Sequence, residues 1–407
     1  MIDIQTEFSN KYCFADSSTR LFYRITLKGK INSESLKNSP SQSYSSGNWL
    51  IFVIDRSSSM VGEKIETAKE AAITTIKNLK KGNYISIYTF SDDVEILVDH
   101  ESVSDIDRFR NLINEIRANG RTSLHKTLVT LINNAKDYAI DAGSVSVLFL
   151  TDGQPTDVTD LSKYEPLAGM AAEYGIRINM IGIGSDYNED IIKRISDITN
   201  GEFYHVADRS ELSTIFGDYA DHINKTIANS VVMSVTLKEA KEFKSYDQNF
   251  IQQGNQYLLN VGSVTEEPFV ITGHIIVPPG NNGEVPLLSI SVDYRDMDGS
   301  PKSINQVLNV ERTNDMQKIV SNTNQEIVNA ARVKMNIERF EYLASIGDVS
   351  GATKAISEAR KAAEATKNIK LIESTKKLES MVSSTQTGKI DKKQIYNETS
   401  RIKRKGD

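Results

Sequence analysis

The stretch from Asn48 to about residue 225 constrains this chain most. It opens on six consecutive apolar residues, Trp49-Leu50-Ile51-Phe52-Val53-Ile54. That run is far too short to span a bilayer and does not alternate, the pattern of a strand covered on both faces. A helical pattern follows, with Ile65, Ala68, Ala72, Ile76 and Leu79 spaced by 3, 4, 4 and 3 residues. The exchange then repeats. Residues 84–90, 95–98, 144–150, 177–183 and 202–206 read as strands. Leu124, Leu128, Leu131 and Ala135 mark a helix face, and 188–199 and 210–220 read as helices. Strands alternating with helices predict an α/β unit, a doubly wound and mostly parallel sheet.

The flanks differ. Residues 1–31 hold two strand-like runs, the second being Leu21-Phe22-Tyr23-Arg24-Ile25-Thr26-Leu27. Residues 32–47 contain seven serines in sixteen positions and read as a flexible loop. Residues 226–312 carry five short β runs, with turn chemistry at PPGNNGE (278–284) and DMDGSP (296–301). Five strands make a thin antiparallel β-sandwich, which the two N-terminal strands would complete. The α/β unit at 48–225 is therefore expected to be inserted into the sandwich. An α-helical domain is expected at 313–382: one long helix over 319–346 ending at Gly347, a second capped by Ser350, and a third over 369–382. Residues 383–407 read as a linker and a basic C-terminal helix.

Composition narrows the class. Of 407 residues, 39% are hydrophobic and 25% charged, which excludes a collagen or a disordered acidic tail. The single cysteine, Cys13, excludes an intramolecular disulfide and a multi-cysteine zinc site. Residues 313–407 carry 18 basic and 12 acidic residues, and the remainder 30 and 42, for a net −6. Acidic residues interleave the basic ones, so the tail reads as a solvated helical face rather than a nucleic-acid surface. The opening MIDIQTEFSN has neither the basic nor the apolar region of a signal peptide, and a cytoplasmic location is expected.

The chemistry lies where buried strands end, the edge at which open α/β sheets bind ligands. One strand runs into Asp55-Arg56-Ser57-Ser58-Ser59-Met60, another into Thr151-Asp152-Gly153. Between them Asn119-Gly120-Arg121-Thr122-Ser123-Leu124 opens a helix. Asp55, Ser57, Ser59, Thr122 and Asp152 thus supply two carboxylates and three hydroxyls, a donor set for a hard cation, Mg²⁺ or Mn²⁺. Two anions leave an ion undersaturated, so an acidic residue from a protein partner could complete its shell. Other chemistries have little support. The five histidines lack metal spacing, Gly182-Ile183-Gly184 lacks the third dinucleotide-loop glycine, and no base is suggested for Ser57.

These three loops, in this order, resemble the metal-ion-dependent adhesion site (MIDAS) of the von Willebrand factor A (vWA) domain family. FSDDVEILV (90–98) and GIGSDYNEDIIKRI (182–195) extend the resemblance across 48–225. It implies a Rossmann-like vWA fold and a non-enzymatic role in protein–protein interaction. Arg121 stands where the family often has glycine and adds positive charge near the metal, favouring an anionic ligand. His125 lies near Thr122 in sequence, and it and Arg121 are expected to stand behind the ligands and support them rather than to bind the ion. A vWA domain with a β-sandwich and helices is similar in layout to COPII inner-coat proteins, although one cysteine cannot build their zinc ribbon. It is also similar to archaeal vWA regulators of archaellum expression, which implies a forkhead-associated (FHA) partner and Ser/Thr kinases. Ser43, Ser45, Ser383, Ser384, Thr385 and Thr387 are the phosphorylation candidates. A surface adhesin and a Mg²⁺-dependent hydrolase remain as alternatives.

Overall fold

A computed structural model describes residues 1–30, 47–139, 142–208, 210–383 and 391–404. Ser43, Ser45, Ser384, Thr385 and Thr387 lie outside the described residues, and of Ser383 only the backbone is described.

The chain begins with β1 (Ile2–Phe8), β2 (Tyr12–Phe14) and β3 (Thr19–Gly29), then enters the α/β unit. That unit comprises β4 (Trp49–Asp55), α1 (Glu63–Asn78), β5 (Tyr84–Phe90), β6 (Val94–Ser102), α2 (Ile106–Glu115), α3 (Leu124–Ala139) and β7 (Val145–Thr151). It continues through α4 (Glu165–Glu173), β8 (Ile176–Ile183), α5 (Glu189–Ile198), β9 (Phe203–Val206) and α6 (Ser210–Asn224). Its sheet runs β6-β5-β4-β7-β8-β9, parallel throughout except for the antiparallel edge strand β6. Central β4 is buried along its whole length. Trp49, Ile51 and Val53 join one apolar cluster, while Leu50, Phe52 and Ile54 join another on the opposite face. The uninterrupted apolar run is thus a strand covered twice.

The chain then returns to the sandwich with β10 (Ala228–Leu237), β11 (Glu242–Ser245), β12 (Ile251–Gln253), β13 (Gln256–Val264), β14 (Phe269–Val277), β15 (Gly283–Asp296) and β16 (Pro301–Thr313). One sheet has the order β1-β3-β14-β11, the other β12-β13-β10-β15-β16-β2. β3 pairs with β14 across the whole inserted unit, from Thr19 opposite Val277 to Leu27 opposite Phe269. The insertion inferred from the orphan N-terminal strands is therefore the architecture observed. The sandwich is thicker than five runs suggested, because β11 and β12 are too short to carry an alternating signal.

Among the described residues five helices follow: α7 (Met316–Ser321), α8 (Gln325–Ser345), α9 (Val349–Thr366), α10 (Ile369–Ser383) and α11 (Lys392–Arg404). The expected long helix over 319–346 is two helices. Asn324 starts the second, its side chain accepting from the backbone N–H of Glu326 and Ile327, a capping bond that offsets the break. Gly347 does end α8, at φ +77°, but Asp348 rather than Ser350 caps α9, accepting from Gly351 N–H. Two helices escaped the pattern. α2 turns only Phe109 and Ile113 fully inward, and α4 buries alanines. Among the described residues no helix is long and apolar enough to cross a membrane.

The helical region is packed onto the α/β unit. The cluster that contains Trp49 and Phe149 continues through Ile195 and Phe203 to Tyr396 and the α8–α10 interior.

Candidate metal centre

The end of β4 is fixed by backbone bonds to its neighbours. Arg56 N–H donates to Phe90 O (2.8 Å), Asn119 N–H to Arg56 O (2.7 Å) and Ser58 N–H to Gly120 O (3.0 Å). These tie the DxSxS segment between the end of β5 and the 119–122 loop. Gly120 has φ +78°, and a Cβ there would sit 2.5 Å from an Asp92 carboxylate oxygen. A side chain would be strained and obstructed. Thr122 is clasped by Thr156, whose N–H donates to Thr122 O (2.9 Å) and whose hydroxyl receives Thr122 N–H (3.2 Å).

Within this frame the predicted donors come together. Ser57 Oγ and Ser59 Oγ lie 2.9 Å apart, and Ser59 Oγ donates to Asp152 Oδ1 at 2.7 Å. Thr122 Oγ1 faces Gly153, where a Cβ would stand 2.7 Å from it and 3.6 Å from Ser59 Oγ. Asp55 accepts from Ser57 N–H and from the Thr151 hydroxyl, both at 2.8 Å. The carboxylates of Asp55 and Asp152 are fully buried. Burial pushes the Asp55 carboxyl up to about 6 and neighbouring Asp152 adds to this, against the bonds from Ser57 and Thr151. Such crowding of buried negative charge suits a cation. The donor set is all oxygen, two carboxylates and three hydroxyls, and among the described residues no three His, Cys, Asp or Glu side chains gather into a metal cluster. The residues present fit a hard divalent ion.

The two flanking residues point to other partners. Arg121 Nε donates to Asp92 Oδ1 at 2.7 Å, so a carboxylate meets its charge. The His125 ring meets Tyr164 edge-on, centroids 5.3 Å apart.

A residue the sequence reading passed over enters the site. Lys64, in the first turn of α1, places Nζ 2.5 Å from Asp152 Oδ2. Its sequence signal was slight: a lysine five residues beyond the last serine of the motif, on a helix that begins at the same loop.

A doubly wound sheet with this three-loop oxygen site at its carboxyl edge defines a von Willebrand factor type A domain. The family model for that domain matches residues 50–218, and this part of the chain is a vWA domain. The chain is similar over 100% of its length to the ArnB paralog VWA2 from Sulfolobus acidocaldarius, at 25% identity and TM-score 0.75, with 98% of that chain covered. Human COPII-coat protein Sec24c shares the fold at TM-score 0.56 and 11% identity, over 90% of this chain and 58% of that one. An uncharacterised protein of Synechocystis sp., sll0103, is 26% identical over 162 residues, 40% of this chain. The match spans 38% of that relative's length.

Proposed function

We propose that Asp55, Ser57, Ser59, Thr122 and Asp152 hold one Mg²⁺ or Mn²⁺ ion, and that the chain is a non-enzymatic cytoplasmic interaction protein docking an acidic side chain of a protein partner there. The Ser57–Ser59 hydroxyl pair reaching a buried carboxylate from another loop carries this reading, with Ser59 Oγ 2.9 Å from Ser57 Oγ and 2.7 Å from Asp152 Oδ1, and Thr122 Oγ1 facing the adjoining Gly153. A divalent ion bound there supplies a Lewis-acidic position that an incoming carboxylate can occupy. The chain itself does the rest. Ser57 N–H and Thr151 Oγ hold Asp55, and the Thr156 clasp holds Thr122.

The experiment is a Mg²⁺ titration of the full chain, read as thermal midpoint, for wild type and Asp152→Ala. Wild type is expected to gain stability with Mg²⁺ as mass action requires. Asp152→Ala is expected to fold, lose that gain and lose any EDTA-sensitive partner in a pull-down. A gain equal in both proteins would overturn the reading.

The same reading assigns regulation to phosphorylation, with Ser/Thr kinases acting on Ser43, Ser45, Ser383, Ser384, Thr385 and Thr387 and an FHA-domain protein reading the phosphates, in control of archaellum expression. Its support is the similarity of layout, together with the full-length likeness to the Sulfolobus ArnB paralog. Deleting the tail is a poor test, because α11 packs on β9 and α8. Alanines at Ser383, Ser384, Thr385 and Thr387 are the better one. FHA binding that survives them moves the sites to Ser43 and Ser45.

A further inference from the structure

We infer that Lys64 sets the charge of the metal site, weakening its hold on the divalent ion and strengthening its hold on the partner's carboxylate. This rests on the metal-site reading above and adds a residue to it.

The Asp152 carboxylate is shared between two sides. Oδ1 accepts from Ser59 on the hydroxyl side, and Oδ2 takes the Lys64 ammonium at 2.5 Å. Asp152 is fully buried and the Lys64 side chain is 26% exposed, so this is an ion pair screened less than a surface pair. Lys64 stands in the first turn of α1, whose N-cap Gly62 has φ +91°. Its ammonium also borders Gly184 at the end of β8, where a Cβ would lie 3.9 Å from Nζ. The lysine therefore bridges the carboxyl ends of β7 and β8, beside the donors and not among them.

Charge addition gives the consequence. Asp55 and Asp152 contribute two negative charges and Lys64 one positive. A divalent ion raises the total to one positive charge, which one incoming carboxylate neutralises. Without Lys64 the loaded site is neutral overall, and an incoming carboxylate is held by the ion's open coordination position without the added pull of a net positive charge. Other cations near the site have carboxylate partners of their own, Arg121 in Asp92 at 2.7 Å and Arg56 in Glu95 at 3.9 Å. Lys64 thus supplies what the sequence suggested for Arg121, and from direct contact with a proposed ligand.

The test compares wild type, Lys64→Gln and Lys64→Arg as full chains. Glutamine keeps a hydrogen-bond donor and removes the charge, whereas arginine keeps the charge. Two quantities are read: Mg²⁺ affinity by calorimetry, and acetate affinity for the Mg²⁺-saturated protein by thermal midpoint. Lys64→Gln is expected to bind Mg²⁺ about tenfold more tightly and acetate several-fold more weakly, from one unit charge close to the ion. Lys64→Arg is expected to stay within about twofold of wild type in both. Wild-type Mg²⁺ binding with both affinities unchanged in Lys64→Gln overturns the Lys64 inference and leaves the metal site standing. Failure of wild type to bind Mg²⁺ overturns both. Should Lys64→Gln not fold, equal Mg²⁺ and acetate affinities in Lys64→Met would overturn the inference, and opposite shifts would support it.

Discussion

Lys334 of α8 and Asp247, in the loop after β11, form an ion pair of 2.8 Å with side chains only 2% and 0% exposed. The other Asp247 oxygen accepts from both Thr272 N–H and Thr272 Oγ1 at 2.6 Å. One buried carboxylate therefore pins the helical region to β14 of the sandwich. Removing the lysine strands that carboxylate. Lys334→Ala is expected to cost about 3–5 kcal/mol in urea unfolding. The double change Lys334→Met with Asp247→Asn is expected to recover most of the loss, and a loss below 1 kcal/mol for the single change would show the pair to be unimportant.

Gly153 keeps Thr122 in place by having no side chain. In Gly153→Ala the new Cβ would stand 2.7 Å from Thr122 Oγ1, while the Thr156 clasp prevents the backbone from retreating. Overpacking of this kind costs about 1–3 kcal/mol. Mg²⁺ affinity is expected to fall roughly tenfold, with a modest change in urea midpoint, since 1.4 kcal/mol is a factor of ten. Unchanged affinity would remove Thr122 from the ligand set.

The pH response of Asp55 has a definite sign. Its folded pKa of about 6 lies above the ordinary 3.8, so the native state keeps a proton that the unfolded chain releases. The associated stability is present below pH 4 and is lost as pH rises to about 6, on the order of 3 kcal/mol in EDTA. Unfolding of wild type against Asp55→Asn at pH 4 and pH 7 isolates it. Saturating Mg²⁺ is expected to cancel the decline, and a flat difference in EDTA would contradict it.

Glu341 responds in the opposite direction. Burial raises its pKa, but Lys193 and Lys403 outweigh burial and hold it at about 2, below the ordinary 4.5. Lys193 of α5 lies 3.1 Å away and Lys403 of α11 2.7 Å, so three helices meet on one carboxylate. A depressed carboxyl stabilises the native state above pH 4.5 and stops doing so as pH falls toward 2. The protection factor of α11 amides, which corrects for the intrinsic slowing of exchange in acid, is expected to fall from pH 5 to pH 3. That fall should shrink in Glu341→Gln, where the charge is already absent, and an equal fall in both would refute the assignment.

The broad fold and the candidate donors were legible because their signals are local. A strand buried on both faces, such as β4, must read as an apolar run. A loop that gathers oxygens at its end must carry Asp55, Ser57 and Ser59 at alternate positions. The break between α7 and α8 was not legible, because a helical pattern spans it and only the Asn324 cap reveals it. Short β11 and alanine-lined α4 were missed because few side chains in them report burial.

The sequence by itself determined which faces are buried, the insertion of the α/β unit and the chemistry offered at its carboxyl edge, since these follow from residue type and spacing. Tertiary structure alone decided how charges pair: Lys64 with Asp152, Arg121 with Asp92, Lys334 with Asp247, and Lys193 and Lys403 with Glu341. Ion pairs form between groups that folding brings within a few ångströms, and their separation along the chain, 88 residues for Lys64 and Asp152, carries no trace of that distance.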